Sequence, residues 1–200
     1  PPPTPPPTAP VRQWCFIRGR VHNIAALLQR WLIPGTVPYM AVVRQRSLIQ
    51  VSYTNTTGPE IYGDIFVTSS SLRGIEIPKE YIPSAIDEFP VIFIAAAAAA
   101  GKTILKNAEE LKFKESNRVQ AIIDNLINFG IKAYEQDNSL IVEGGTPTQM
   151  PTIQSFDDHR IAMAFVVLSI AVFGEYKLDN KACIDISLPG FFDTIEEMLS

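Results

Sequence analysis

The chain has 200 residues, enough for one sizeable domain or two small ones, and 46% of them are hydrophobic, as expected of a protein that buries a core. Its 17 Lys and Arg against 21 Asp and Glu leave a formal net charge of −4, which argues against general nucleic-acid binding. Any anionic ligand must then be held by a local cluster of cations. Two distant cysteines, Cys15 and Cys183, form no CxxC pattern, so free thiols are expected rather than a disulfide framework or a zinc site. No 18-residue apolar run predicts a membrane span, and the N-terminus lacks a signal-peptide pattern, so the cytoplasm is the expected compartment.

The composition shifts near residue 58, dividing the chain into 1–57, a Pro-rich tail with an unassigned segment, and 58–200. Residues 1–10, PPPTPPPTAP, favour an extended polyproline conformation. Their PxxP spacing would also suit a proline-binding module. VHNIAALLQRWLI (21–33) has the apolar spacing of a short helix, and Pro34-Gly35 would end it. MAVV and LIQVSYT read as strands. His22 and Trp31 are isolated and read as ordinary packing or surface residues.

From Gly58 the punctuation becomes regular. DIFVTSS (64–70) and LRGIEI (72–77) read as short strands separated by a Ser-rich turn. IDEFPVIFIAAAAAAG (86–101) reads as a buried helix closed by Gly101, its alanines letting neighbours approach closely. KTILKNA (102–108) is the next strand. ESNRVQAIIDNLINFG (115–130) is amphipathic, with Val119, Ile122, Ile123, Leu126 and Ile127 on the apolar face and Gly130 at its end. IKAYEQDNSLIVEGG (131–145) is a hairpin turning at Asp137-Asn138. DDHRIAMAFVVLSIAVFG (157–174) is a largely apolar helix. EYKLDN and ACIDI follow as strands, and FFDTIEEML (191–199) closes as a helix. This order predicts an α/β (α+β) fold of repeated units, with helices packed inside mixed sheet.

Three helix starts carry the chemistry. In KFKESNR, Lys114 and Arg118 are four apart, on one face where a helix begins. Two cations are unfavourable at a helix N-terminus unless an anion is present, so this is either an anion site or a solvated charged turn. Lys112 adds to the cluster and Glu115 stands inside it. In FDDHR, Asp157 or Asp158 would cap the next helix, placing His159 and Arg160 in its first turn. Arg160 suits a carboxylate or phosphate, and His159 suits a hydrogen bond or proton transfer, though both also fit an ordinary helix start. In AIDEFP, Asp87 and Glu88 precede an apolar helix, either as a cap or as a base with a raised pKa. If the three starts converge they line one cleft, suited to phosphorylated or carboxylated small molecules. Weak anion binding at Arg118 and Arg160 is the expected property.

These motifs, in order and with compatible gaps from about residue 58 to 200, resemble the EPSP synthase family. The carriers are IDEFP with its alanine-rich helix, LKFKESNR (111–118), FDDHRIAMAF (156–165) and LPGFFDTIEEM. The resemblance implies one domain of a two-domain fold built from βαβαββ-type repeats. It implies transfer of the carboxyvinyl group of phosphoenolpyruvate to the 5-hydroxyl of shikimate 3-phosphate, in the shikimate pathway of aromatic amino-acid biosynthesis. By the same resemblance, Asp87 is the base for the attacking hydroxyl and Glu115 the acid/base at the phosphoenolpyruvate methylene carbon. Lys114, Arg118, His159 and Arg160 hold substrate. No metal or organic cofactor is implied, and the partners are small anionic substrates.

The chain departs from the family pattern in three respects. Asn117 stands where the family usually has Asp, and Ile186 where many members have a Lys. A full synthase is roughly twice this length, so an N-terminal half is expected elsewhere and the chain alone should have little or no turnover. The competing readings are a UDP-N-acetylglucosamine carboxyvinyl transferase-like enzyme and a non-catalytic fragment.

Overall fold

A computed structural model describes residues 48–55, 62–68 and 71–199. The helix expected over 21–33 and the strand over 40–43 lie outside the described residues, as do Cys15, His22 and Trp31. The first two elements, β1 (Leu48–Asn55) and β2 (Tyr62–Thr68), form an antiparallel hairpin that spans the composition change at residue 58.

The remainder is mixed helix and sheet. A three-stranded antiparallel sheet has the order β3-β5-β4, from β3 (Gly101–Leu105), β4 (Lys132–Gln136) and β5 (Ser139–Gly144). Asp137 and Asn138 both adopt positive φ, the conformation that a tight two-residue hairpin turn requires. Two helices, α1 (Phe89–Ala97) and α2 (Arg118–Asn128), pack against this sheet. A third, α3 (His159–Phe173), packs on both, and every residue from Ile161 to Ala171 is buried. A helix apolar on all sides belongs at the centre, which explains its lack of an exposed polar stripe. Stacked rings of Phe129, Phe165 and Phe173 tie α2 to α3. The two-residue strands β6 (Thr152–Ile153) and β7 (Lys177–Leu178) pair in parallel across α3, as a helical crossover allows. Two short helices follow, α4 (Ala182–Asp185) and α5 (Phe191–Leu199).

The structure corrects several expected boundaries. Residues 72–77 run parallel to β3 but form only isolated bridges, at Arg73 and Glu76. The alanine-rich helix ends at Ala97, not at Gly101. The Ala97 carbonyl accepts from Gly145 N, and Ala100 exchanges bonds with Leu72 and Gly74, so tertiary partners override the helical preference of the alanines. Gly101, at φ +93°, instead opens β3. Ala108 belongs to a 3-10 turn (Ala108–Phe113) rather than to the strand. ACIDI is not a strand: the Asn180 side chain accepts from Ala182 N and starts the helical turn α4. Ile127, placed on the apolar face of α2 by its spacing, is 52% exposed, because the helix ends one residue later and turns away. That end is a Schellman motif, with Gly130 N bonded to Ile127 O and Ile131 N to Leu126 O.

The close approach expected of the alanines is completed by a glycine. A Cβ on Gly144 would overlap the carbonyl oxygens of Ala96 and Ala99. Gly144→Ala is therefore expected to lower stability by about 1–3 kcal/mol, the usual cost of overpacking. Urea denaturation measures this, and an unchanged midpoint would contradict the contact.

Candidate active site at three converging helix starts

The residues before α1, α2 and α3 meet in one hydrogen-bonded cluster. The approach to α3 is fixed first. Buried Asn125 on α2 uses its side-chain amide to pair the backbone of Gln154, accepting from Gln154 N at 3.0 Å and donating to Gln154 O at 2.9 Å. Asp179 then accepts from Ser155 N. Phe156 and Asp157 follow in the left-handed region, at φ 54° and 56°. Such a pair is strained for non-glycine residues. It is held by Asp157 N donating to Ser155 Oγ and by Asn180 donating to the Asp157 carboxylate. This turn delivers Asp158 as the N-cap of α3. Its Oδ1 accepts from Arg160 N (2.9 Å) and Ile161 N (3.4 Å).

The other oxygen of Asp158 faces α2. Oδ2 accepts from Arg118 Nε at 2.8 Å and from Ser116 Oγ at 3.1 Å. Arg118 is the first residue of α2, and its side chain is 0% exposed. Its other two nitrogens are also engaged: Nη1 with Asp87 Oδ1 at 2.8 Å and Nη2 with Glu115 Oε2 at 2.6 Å. One guanidinium thus binds three carboxylates from three segments. Burial opposes the arginine's charge, but the bonds and charges of its carboxylate partners outweigh it, and the pKa is raised.

The remaining candidates surround this hub. Lys114 Nζ lies 3.4 Å from Asp87 Oδ1. Arg160 Nη1 donates to the Asp87 carbonyl at 3.1 Å and lies 3.6 Å from Glu88 Oε2. His159 is the first residue of α3, half-buried beside Arg160, and its side chain forms no hydrogen bond or ion pair with another described residue. Asp87, Lys114, Glu115, Arg118 and Arg160 are therefore joined directly, and His159 stands next to them.

Four details go beyond what the spacing showed. Lys114 and Glu115 precede α2, whose N-cap is Asn117, with Oδ1 accepting from Gln120 N. Lys112 turns away from the cluster to pair with Glu135 on β4 at 2.6 Å. Arg118 is already bonded to three of the protein's own carboxylates. The raised carboxyl is Glu88 and not Asp87: burial pushes Glu88 up, and the Arg160 charge offsets this only in part. Burial also acts on Asp87, but the Arg118 bond and the charges of Arg160, Lys114 and Arg118 prevail and hold it below the usual carboxylate range. At the lysine position noted above, Ile186 is 87% exposed. The doubled Asp ahead of His159 signalled a cap. Nothing in the spacing marked Asp158 as the buried partner of Arg118, nor Glu88 as a neighbour of Arg160.

Two outcomes follow from this geometry. Arg118→Ala strands a buried Asp158 and is expected to cost about 3–5 kcal/mol by urea denaturation. Arg118→Lys should restore little of that, because a single ammonium lacks the planar fork that meets three carboxylates. Asp87, with its lowered pKa, stabilises the fold above the ordinary carboxylate range, and this contribution disappears as the pH falls through that lowered value. Denaturation midpoints compared at pH 7 and pH 3 should therefore show a smaller acid-side loss for Asp87→Asn than for the unsubstituted chain. An equal loss would contradict the assignment.

The sequence model of the family described as EPSP synthase (3-phosphoshikimate 1-carboxyvinyltransferase) matches residues 52–195. The 3-phosphoshikimate 1-carboxyvinyltransferase of Desulforamulus reducens is 40% identical over 151 residues, which cover 76% of this chain and 35% of that protein. The protein of the same name from Thermoanaerobacter pseudethanolicus is 43% identical over 148 residues, covering 74% and 35%. The structure of EPSP synthase from Acinetobacter baumannii is similar with a TM-score of 0.73 at 33% identity, covering 80% of this chain and 38% of that one. The chain thus spans little more than a third of the length of these relatives. It belongs to the EPSP synthase family and corresponds to the C-terminal part of its members.

Proposed function

We propose that this chain supplies the C-terminal part of a carboxyvinyl transferase site, which moves the enolpyruvyl group of phosphoenolpyruvate to the 5-hydroxyl of shikimate 3-phosphate and releases phosphate. The convergence of three charged helix starts on one guanidinium carries the reading. It brings two carboxylates, Asp87 and Glu115, to the two outer nitrogens of Arg118, with Lys114 and Arg160 beside Asp87. The relatives named above carry the shikimate name, which does not favour the UDP-N-acetylglucosamine alternative.

In this reading the reaction is an addition followed by an elimination. The hydroxyl oxygen bonds to the central carbon of phosphoenolpyruvate, losing its proton to Asp87, while Glu115 protonates the methylene carbon. The tetrahedral adduct then expels phosphate as Glu115 removes a proton from the new methyl group, restoring the double bond. Such chemistry needs proton transfer at two places and cations over the leaving phosphate. Arg160 and Lys114, each partly exposed, serve as those cations, with His159 at the margin. Arg118 organises the two carboxylates. An incoming anion competes with Asp87 and Glu115 for its outer nitrogens. Ile186 contributes no cation, so Lys114 and Arg160 carry a larger share of the anion's charge.

We further propose that the reaction occurs in the cytoplasm and needs a complementary N-terminal half. Among the described residues, no helix is long and apolar enough to cross a membrane. The experiment is phosphate release from phosphoenolpyruvate plus shikimate 3-phosphate, with an N-terminal synthase half supplied in trans. Release should require both halves and fall by roughly 100-fold or more in Glu115→Ala, the scale of a lost acid/base. A folded chain that stays silent beside an active N-terminal half would favour a non-catalytic fragment.

A further inference from the structure

Glu88 sits at the N-cap of α1 but does not cap it: its side chain accepts no helix N–H. Part of the cause is local. Pro90, in the first turn, has no N–H to offer. The carboxylate instead reaches α3, where Oε2 lies 3.6 Å from Arg160 Nη1. The same nitrogen donates to the neighbouring Asp87 carbonyl at 3.1 Å. Two consecutive residues thus hold one corner of the Arg160 guanidinium. Its Nε and Nη2 bond to no other described residue. They reach solvent, since no side-chain nitrogen or oxygen among the described residues is buried without a partner. Both side chains are partly exposed, Glu88 at 16% and Arg160 at 28%.

We propose that Glu88 is a positioning residue for Arg160, holding Nη1 so that the Nε/Nη2 edge faces outward to receive a substrate carboxylate or phosphate. The inference rests on the reading that Arg160 holds an anionic substrate. A guanidinium binds such groups through two parallel N–H bonds, so its orientation matters as much as its charge. Glu88 has two opposing effects: it orders the arginine and, as a nearby negative charge, it weakens anion affinity. Substitutions separate the two, because glutamine keeps the size and polarity of the side chain without its charge and alanine keeps neither.

The test is sulfate binding to the full chain by calorimetry, with the thermal midpoint of each variant as a check on folding. Glu88→Ala should weaken sulfate binding by roughly three- to tenfold, the range expected when a long side chain must be ordered on binding. Glu88→Gln should bind as well as the unsubstituted chain or more tightly. Equal tightening by both variants would show an effect of charge alone and overturn the proposal. So would no change in Glu88→Ala, or no sulfate binding by the unsubstituted chain. If Glu88→Ala does not fold, Glu88→Asp keeps the charge and draws the carboxylate back, and it must weaken binding for the proposal to stand. In the reconstituted reaction, Glu88→Ala should raise KM for phosphoenolpyruvate far more than it lowers kcat. The expected sulfate pattern without phosphate release would leave the positioning role intact and overturn the reaction. Phosphate release with a contrary sulfate pattern would do the reverse.

Discussion

The buried pair of Arg118 and Asp158 is the contact on which the rest of the site depends. Both side chains are fully removed from solvent, and neither could remain charged there alone. Their geometry compensates: Asp158 meets the arginine with one oxygen and caps α3 with the other. Arg118 in turn uses its remaining nitrogens on Asp87 and Glu115. The hydrophobic core brings α1, α2 and α3 together, but it is non-directional and does not specify how their ends align. The ion pair supplies that alignment, since a displaced helix start would leave a buried charge unmatched.

This arrangement separates two roles that the cations share on paper. Arg118 is an organiser, each of its three nitrogens bonded to a carboxylate of the protein. Arg160 and Lys114 are held from one side and face solvent on the other. The carboxylates divide in the same way. Asp158 is committed to structure, whereas Asp87 and Glu115 are partly exposed and held by charge-assisted bonds. Three cations of the site thus face four of the protein's own carboxylates, Asp87, Glu88, Glu115 and Asp158.

Much of this was legible in the sequence, and the missing parts have physical causes. Elements with a strong period or a clear stop were readable: α2 by its apolar stripe and Gly130, the hairpin by Asp137-Asn138, and α3 by Asp158 and Gly174. Local propensity failed where distant backbone claimed the hydrogen bonds, as at Ala97 and Ala100, or where a segment was too short for a period to show, as at 182–186. In the site, the motifs identified which residues would gather but not their partners. Asp158 and Arg118 are 40 residues apart, and their pairing exists only once α2 and α3 have packed. The inaccessibility of Arg118 was likewise unreadable, because an arginine at a helix start is usually exposed.

The central claim is that Arg118 and Asp158 act as one unit that aligns three helix starts. A double-mutant cycle between Arg118→Ala and Asp158→Ala, read by urea denaturation of the full chain, tests it most directly. The cap that Asp158 provides is lost with and without Arg118 and cancels in the cycle. The account predicts that the double variant is less destabilised than the sum of the single variants, with a coupling of at least about 1–3 kcal/mol. Effects that add to within about 0.5 kcal/mol would show the two residues acting independently and would contradict the account.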